Sequence, residues 1–424
     1  SRHCCSSARI CLPARSMTAK QPSTLQKVGL ISGLFILGTY NTVITKVLFT
    51  TQSIGKDGKP ELFIKPAFGN WTMFLGMSLS ILAYRWKKRA SRKDSLGAPL
   101  VAKKQKGDAM HNYMMIGIPA MFDLVAMGLS LIGIILIPAS IWQMLRGAEI
   151  VFAAILTRVV LGTELHGFHW LGVCLAMVGI GLVSAATLLS TSDAPSQEEA
   201  KGGDNFLVAV GIGLTLGSQV ITAAQIIVEE KLLMDLDMDA LMIVGVEGIW
   251  GFVVMTVVVY PILWFCPGPD HGHAEDPVDT VYMVKNSGLL QLIAVADLVS
   301  CLAYNIIGMK VTESMSGVMR TMLEATRTLM VWVFNLGWHY LVNANSPFGE
   351  TWSSWSYLEL LGFVFLLFGQ MSYAATIRWP GMYYPPDVDM ATYMSPGAVM
   401  AGAFPSPRFM AASTSRRSLS ISLD

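Results

Sequence analysis

Apolar runs of about 20 residues, each closed by a few polar positions, recur along almost the whole chain. A run of that length crosses a bilayer as a single helix. Read by apolar windows, the spans fall at about 28–49, 67–85, 113–133, 139–161, 168–190, 205–228, 241–264, 288–309, 313–338 and 353–376. The third and fourth are separated by Ile137-Pro138-Ala139, and the eighth and ninth by Lys310 to Ser314, so both connections make antiparallel neighbours. The pattern predicts an all-α polytopic membrane protein with ten transmembrane helices.

The polar segments orient it. RWKKRASRKDSLGAPLVAKKQK, residues 85–106, holds nine Lys or Arg and one Asp. It belongs on the cytoplasmic side by the positive-inside rule, which puts both termini there as well. The segments at 191–204 and 265–280 are acidic and polar and fall on the far side. The chain then divides into an N-terminal cytoplasmic segment (1–27), a first set of five helices (28–190), a non-cytoplasmic linker (191–204), a second set of five (205–376) and a Pro- and Ser-rich cytoplasmic tail (377–424), read as disordered. Residues 1–16 precede the first methionine, Met17, and read either as sequence outside the native chain or as a targeting extension.

Five helices per set is an odd number, so related sets must cross the membrane in opposite directions. Three local matches, in the same order, relate them. Asp123-Leu124-Val125 parallels Asp297-Leu298-Val299, MLRGAE (144–149) parallels MLEATR (322–327), and Gly172 and Gly179 share a seven-residue spacing with Gly362 and Gly369. The expectation is two inverted five-helix repeats.

Composition agrees: 53% of residues are apolar and 14% charged, against about 25% charged in soluble domains. The few charges inside spans therefore stand out, since each costs around 2.5–3.5 kcal/mol at a helix centre. Arg146 lies roughly 10 Å into span four and Glu324 roughly 16 Å into span nine, at 1.5 Å per residue. Residues three apart share a helix face, so each span presents an acid and a base together: Arg146 with Glu149, and Glu324 with Arg327. Two arrangements remain open. The pairs form within each helix, or they cross, Arg146 to Glu324 and Glu149 to Arg327, bridging the repeats. The alternative to a cavity lining is a permanent ion-pair network that fixes helix register.

Asp123, Asp297 and Glu247 are further carboxylates inside spans, suited to a proton or a cationic group, or to hydrogen bonding with a neighbouring helix. Asn41, Gln143 and Gln225 are uncharged polar groups at mid-span that can hydrogen-bond a solute. Lys46 and Glu229-Glu230-Lys231 lie at span ends and read as interfacial anchors. Gly213 and Gly217 form a GxxxG helix-packing pair, and the small residues around Glu247 permit close approach. Asp270, His271, His273 and Glu275 in the polar segment allow a metal site or a pH sensor, but the spacing alone establishes neither. Six cysteines form no disulfide or zinc pattern. GKDGK at 55–59 lacks the spacing and hydroxyl of a phosphate loop, and no nucleophile–base set appears, so no enzyme, cofactor or nucleic-acid partner is expected.

SIWQMLRGAEIVF (140–152), AAQIIVEEKLL (223–233) and VGVEGIWGF (244–252), with Asn41-Thr42, Lys46 and Leu336-Gly337-Trp338, resemble the drug/metabolite transporter superfamily, most closely the solute-carrier-35 family, subfamily F. The resemblance covers roughly residues 26–378. It implies a ten-helix bundle around a central cavity open alternately to each side, in an endomembrane of the lysosome, vacuole or Golgi type. Nucleotide-sugar carriers in that group place lysines in the ninth span, where this chain has Glu324 and Arg327 and no Lys.

The expectation is a secondary carrier of a small polar or charged solute, driven by protons or a counter-solute in the absence of an ATP site. Its partners are the bilayer and the solute, and a homodimer is compatible. The alternative is a non-transporting membrane scaffold acting through the basic loop and the tail.

Overall fold

The computed structural model describes residues 24–94, 109–137, 139–192, 205–236, 238–268, 270–342 and 352–384. The segments 1–23, 95–108, 193–204, 343–351 and 385–424 lie outside the described residues. With them go the targeting reading of the N-terminus, most of the basic loop, the linker and most of the tail.

Helices dominate: α1 (Thr24–Thr50), α2 (Pro66–Asp94), α3 (Ala109–Leu136), α4 (Ala139–Arg146), α5 (Glu149–Val160), α6 (Gly167–Ser192), α7 (Asn205–Asp235), α8 (Ala240–Val254), α9 (Tyr260–Phe265), α10 (Pro277–Asn286), α11 (Gly288–Ser314), α12 (Gly317–Leu341) and α13 (Ser356–Tyr373). Among the described residues, six stretches are long and apolar enough to cross a membrane: Leu25–Thr50, Met110–Leu136, Gly167–Thr187, Phe206–Asp235, Ala240–Phe265 and Gly288–Ser314. The other expected spans fall on helices that fail that measure for identifiable reasons. α2 runs on into the basic RWKKRASRKD, α12 carries Arg320, Glu324 and Arg327, the fourth span is broken into α4 and α5, and α13 is 18 residues long with polar ends. The chain is an integral, multi-pass helical membrane protein.

α8 and α9 are one helix interrupted by a π turn, Met255–Val259. Pro261 follows at the start of α9. It lacks an N–H and its ring crowds the carbonyl four residues back, so the ladder widens there.

Pairing between helices follows a regular scheme. α6 packs on α13, α2 on α8, and α5 on α12; α3 packs on α7 and α8, α11 on α1 and α2, and both α5·α7 and α1·α12 are in contact. The α6·α13 contact shows why. A Cβ on Gly172 would lie 2.8 Å from the Gly369 carbonyl oxygen, and one on Gly179 only 2.6 Å from that of Gly362; the reciprocal distances are 2.8 and 2.7 Å. Four glycines at matched spacing therefore let two backbones touch. α8 uses Gly248 in the same way, where a Cβ would lie 2.4 Å from Ser78 N on α2. The predicted GxxxG pair does not act so: nothing lies within 4 Å of a Cβ on Gly213. The α3·α7 contact instead uses Gly211, against Leu136 and Ile137, and Thr215, whose hydroxyl would meet a Cβ on Gly133 at 2.3 Å. The close face is set by register, two residues (about half a turn) displaced from the motif.

The fold departs from purely helical at one end of the bundle. Gln52–Ile54 (β1) and Pro60–Leu62 (β2) form an antiparallel hairpin pairing Ser53 with Glu61. GKDGK is its turn, with Gly58 at φ 73°. α10 lies against it, through Ser53 Oγ donating to the Met283 carbonyl at 2.6 Å. Residues 377–384 of the predicted tail are ordered: Tyr384 stacks on Phe168 at the start of α6, and Trp379 Nε1 donates to Ser372 Oγ at 3.1 Å.

Candidate functional site

MLRGAE and MLEATR do not fold alike. α4 ends at Arg146 and α5 begins at Glu149, so a turn interrupts the fourth span at Gly147-Ala148. The turn is tight: Ala148 N donates to the Leu145 carbonyl at 3.1 Å and Val151 N to that of Ala148 at 3.0 Å, both three residues back. Gly147 permits it, since a Cβ there would lie 2.3 Å from Ile180 on α6. The break leaves Arg146 at a helix C-terminus and Glu149 at a helix N-terminus, where each charge complements the helix dipole. α12 runs unbroken through Glu324 and Arg327.

Neither predicted arrangement of the four charges forms. Glu324 is held by Arg320, one turn earlier on its own helix, whose Nε donates at 2.9 Å. Arg320 Nη1 also donates at 2.7 Å to Glu229 on α7. Arg146 instead lies over the Trp142 ring, 4.9 Å from its centroid, and Arg327 over Tyr304 at 5.2 Å. Among the described residues, Arg146, Glu149 and Arg327 enter no direct ion pair. All four charges still share one electrostatic neighbourhood: Glu149 feels Glu324, Arg146, Arg320 and Arg327, and Arg146 feels Glu149, Arg327, Glu324 and Tyr304.

The hub of this region is Arg320, which the hexapeptide comparison passes over. It is 8% exposed, and Glu229 is 2% exposed. Glu229 is thus no interfacial anchor. α7 continues to Asp235, past the expected end at 228, because nothing in Val228-Glu229-Glu230-Lys231 breaks a helix. Glu230 accepts from Gly317 N at 2.9 Å, closing the start of α12. Gln225 Nε2 donates to Glu229 at 3.1 Å and reaches Glu247 at 3.5 Å. Glu247 is 1% exposed, and its second carboxylate oxygen has no hydrogen-bond partner. Asp123 on α3 faces the same group, within electrostatic reach of Glu229, Arg320 and Glu247. Arg146, Glu149, Glu324, Arg327, Asp123, Glu247 and Gln225 are therefore gathered around Arg320.

Asp297 and Asn41 lie apart from that group. Asp297 accepts from Thr45 at 3.1 Å and Thr72 at 3.4 Å, joining α11 to α1 and α2. Asn41 Nδ2 donates to Cys301 Sγ at 3.0 Å. Both groups are spent on helix–helix hydrogen bonds. The Gln143 side chain lies outside the described residues.

The polar segment at 265–280 folds into a cap. Lys65 Nζ, 4% exposed, lies between Asp270 at 2.5 Å and Asp279 at 2.8 Å. Burial disfavours its ammonium, but the hydrogen bonds and charges of the two aspartates outweigh that and raise its pKa. For Asp279, burial likewise opposes ionisation, and the Lys65 hydrogen bond with that from Lys56 N lowers its pKa on balance. Glu275 accepts from Ala67 N at 2.7 Å and Phe68 N at 3.0 Å, so it caps α2 from another element. Burial pushes its pKa up to about 7 despite those bonds. Asp270, His271 and Asp279 stand close enough to share a cation, but Lys65 already occupies both carboxylates. His273 is elsewhere, stacked on Trp264 at 4.0 Å.

Over residues 63–185 the chain matches the EamA-like transporter family. It is 29% identical over 353 residues to solute carrier family 35 member F6 of Homo sapiens, covering 81% of this chain and 87% of that protein. The protein of the same name from Rattus norvegicus is 28% identical over 350 residues, with the same shares covered. An uncharacterized protein of Schizosaccharomyces pombe is 26% identical over 266 residues, covering 62% of this chain and 74% of that one. The segments 140–152, 223–233 and 244–252, which carry the sequence resemblance, supply Arg146 and Glu149, Glu229, and Glu247 to the charged group around Arg320. Part of the chain thus matches the EamA-like transporter family of the drug/metabolite transporter superfamily, and its similarity to the member F6 proteins of solute carrier family 35 extends over four-fifths of its length.

Proposed function

We propose that the protein is a secondary-active carrier that moves a small polar or charged solute across an endomembrane by alternating access. The observation that carries this is the buried charged group around Arg320. It gathers side chains from α3, α4, α5, α7, α8 and α12 at the centre of an apolar bundle. A scaffold acting through its loop and tail has no use for so many ionisable groups at the depth where they are most costly.

The inverted-repeat reading has support from helix pairing. Counting α4 with α5 as the fourth span, several contacts recur five spans later: α3·α7 with α11·α1, α3·α8 with α11·α2, α5·α7 with α12·α1, and α5·α6 with α12·α13. Three further pairs, α6·α13, α2·α8 and α5·α12, join a span to its own counterpart, whereas α8·α11, α7·α11 and α7·α12 lack an equally close counterpart. Two such halves around one central group are what a rocking mechanism needs. The sequence resemblance and the basic segment after α2 support an endomembrane location with cytoplasmic termini.

The test is uptake into proteoliposomes across a panel of metabolites at two internal pH values, with Glu149→Gln and Arg327→Gln beside the wild type. Loss of uptake in both variants, with unchanged expression and monodispersity, is the expected result. Uptake at the wild-type rate in both overturns the assignment of this group to the transport path. Absence of uptake for the wild type, together with a cellular phenotype lost on deleting 385–424, points to the scaffold instead.

A further inference from the structure

We propose that Arg146 and Arg327 together form a binding site for an oxyanion, a carboxylate or phosphate group borne by a small soluble molecule. The proposal rests on the transport reading only for why such a molecule comes there; the site itself is argued from geometry. Of the three arginines in the central group, Arg320 is paired, with one acid on Nε and another on Nη1. The other two are not. Among the described residues neither Arg146 nor Arg327 has an acidic partner or a hydrogen-bond acceptor. What each has is an aromatic ring beneath its face, Trp142 at 4.9 Å and Tyr304 at 5.2 Å.

Stacking uses the face of a guanidinium and leaves its in-plane N–H fork free, and that fork matches the two oxygens of a carboxylate or phosphate. Both arginines are also held in place. Trp142 Nε1 donates to Ser130 Oγ at 3.1 Å, which fixes the ring under Arg146. The Arg327 stem lies on α1, where a Cβ on Gly38 would sit 2.4 Å from Arg327 Cδ. Five donors per guanidinium with no acceptor are costly to bury, and Arg146 remains exposed although it lies well inside its span. The two guanidinium groups are close enough to repel one another, and a bridging anion removes that repulsion. Glu149 lies beside both, with one buried oxygen that accepts no hydrogen bond. A ligand that carries a hydroxyl or ammonium next to its acidic group satisfies this acceptor as well.

The experiment measures modification of individual arginines by phenylglyoxal, read by mass spectrometry. The full chain is held in phosphatidylcholine nanodiscs, so that no anionic lipid competes. Arg146 is expected to react much faster than Arg320. Inorganic phosphate in one arm and succinate in another are expected to slow Arg146 and Arg327 together, about tenfold at roughly ten times the half-protecting concentration. Protection by one probe alone assigns the site to that oxyanion. Arg146 as inert as Arg320, or modified at a rate that neither anion changes, overturns the proposal. The outcome is independent of transport: protection without uptake of any solute leaves the anion site standing and removes the carrier reading, whereas uptake without protection does the reverse.

Discussion

Arg320 is the residue on which the centre of the bundle depends. Replacing it with Met keeps a long apolar stem but leaves Glu229 and Glu324 without their cation. Glu229 is 2% exposed, while the Glu324 side chain is 24% exposed, so the penalty falls mainly on Glu229. Removing one partner of a buried pair costs about 3–5 kcal/mol. The two hydrogen bonds, at 2.7 and 2.9 Å, place this case at the upper end of that range. Neutralising the acids as well, in Arg320→Met with Glu229→Gln and Glu324→Gln, removes the stranded charges and is expected to come back to within about 1–2 kcal/mol of the wild type, because a buried ion pair gains little over a neutral replacement. Arg320→Lys keeps the charge but not the fork that serves two acids at once, and falls between. The assay is equilibrium unfolding of the purified protein in lipid bicelles by steric trapping, supported by thermal scans at fixed rate. The order expected is wild type, triple variant, Lys variant, Met variant. A Met variant as stable as the wild type, or a triple variant no better than the Met variant, refutes the view that charge compensation at Glu229 sets this stability.

Three further outcomes follow from other contacts. Gly179→Val puts a Cβ 2.6 Å from the Gly362 carbonyl oxygen and is expected to cost about 1–3 kcal/mol through forced separation of α6 and α13; a thermal midpoint equal to the wild type contradicts the close contact. Asp297→Asn retains one acceptor for Thr45 or Thr72 and is expected to cost about 1 kcal/mol with little change in uptake, and abolished uptake at unchanged stability assigns Asp297 to the transport path instead. Glu275, raised from 4.5 to about 7 by burial, binds its proton more tightly folded than unfolded, so its contribution improves as pH falls from 7 to 4.5 and is lost as pH rises through 7, by on the order of 3 kcal/mol in all. In Glu275→Gln that part of the pH dependence of unfolding is expected to vanish, and an unchanged pH profile shows that Glu275 does not carry it.

Much of the helical layout was readable because a span must be apolar over its whole length, and that constraint leaves a strong trace in sequence. Gly172, Gly179, Gly362 and Gly369 were readable too, since a backbone contact demands glycine on both sides. The cap was not. Lys65, Asp270, Asp279 and Glu275 look like ordinary loop polarity until the hairpin and α10 bring them together. Glu229 was misplaced because the apolar window ended before the helix did. Gly213 and Gly217 failed for the opposite reason: the spacing was right, but register turned Gly211 and Thr215 toward α3.

The charge arrangement turns on the residues two positions ahead of each hexapeptide. Trp142 stands two residues before Met144, as Arg320 stands two before Met322. These are equivalent positions of the two matched segments, and each lies four residues ahead of the charge in question, on the same helix face. Arg146 therefore meets an aromatic ring and Glu324 meets a guanidinium, and each is met locally before it can reach across the bundle. The difference between tryptophan and arginine at one position ties Glu324 down in an ion pair and leaves the Arg146 fork without an acceptor.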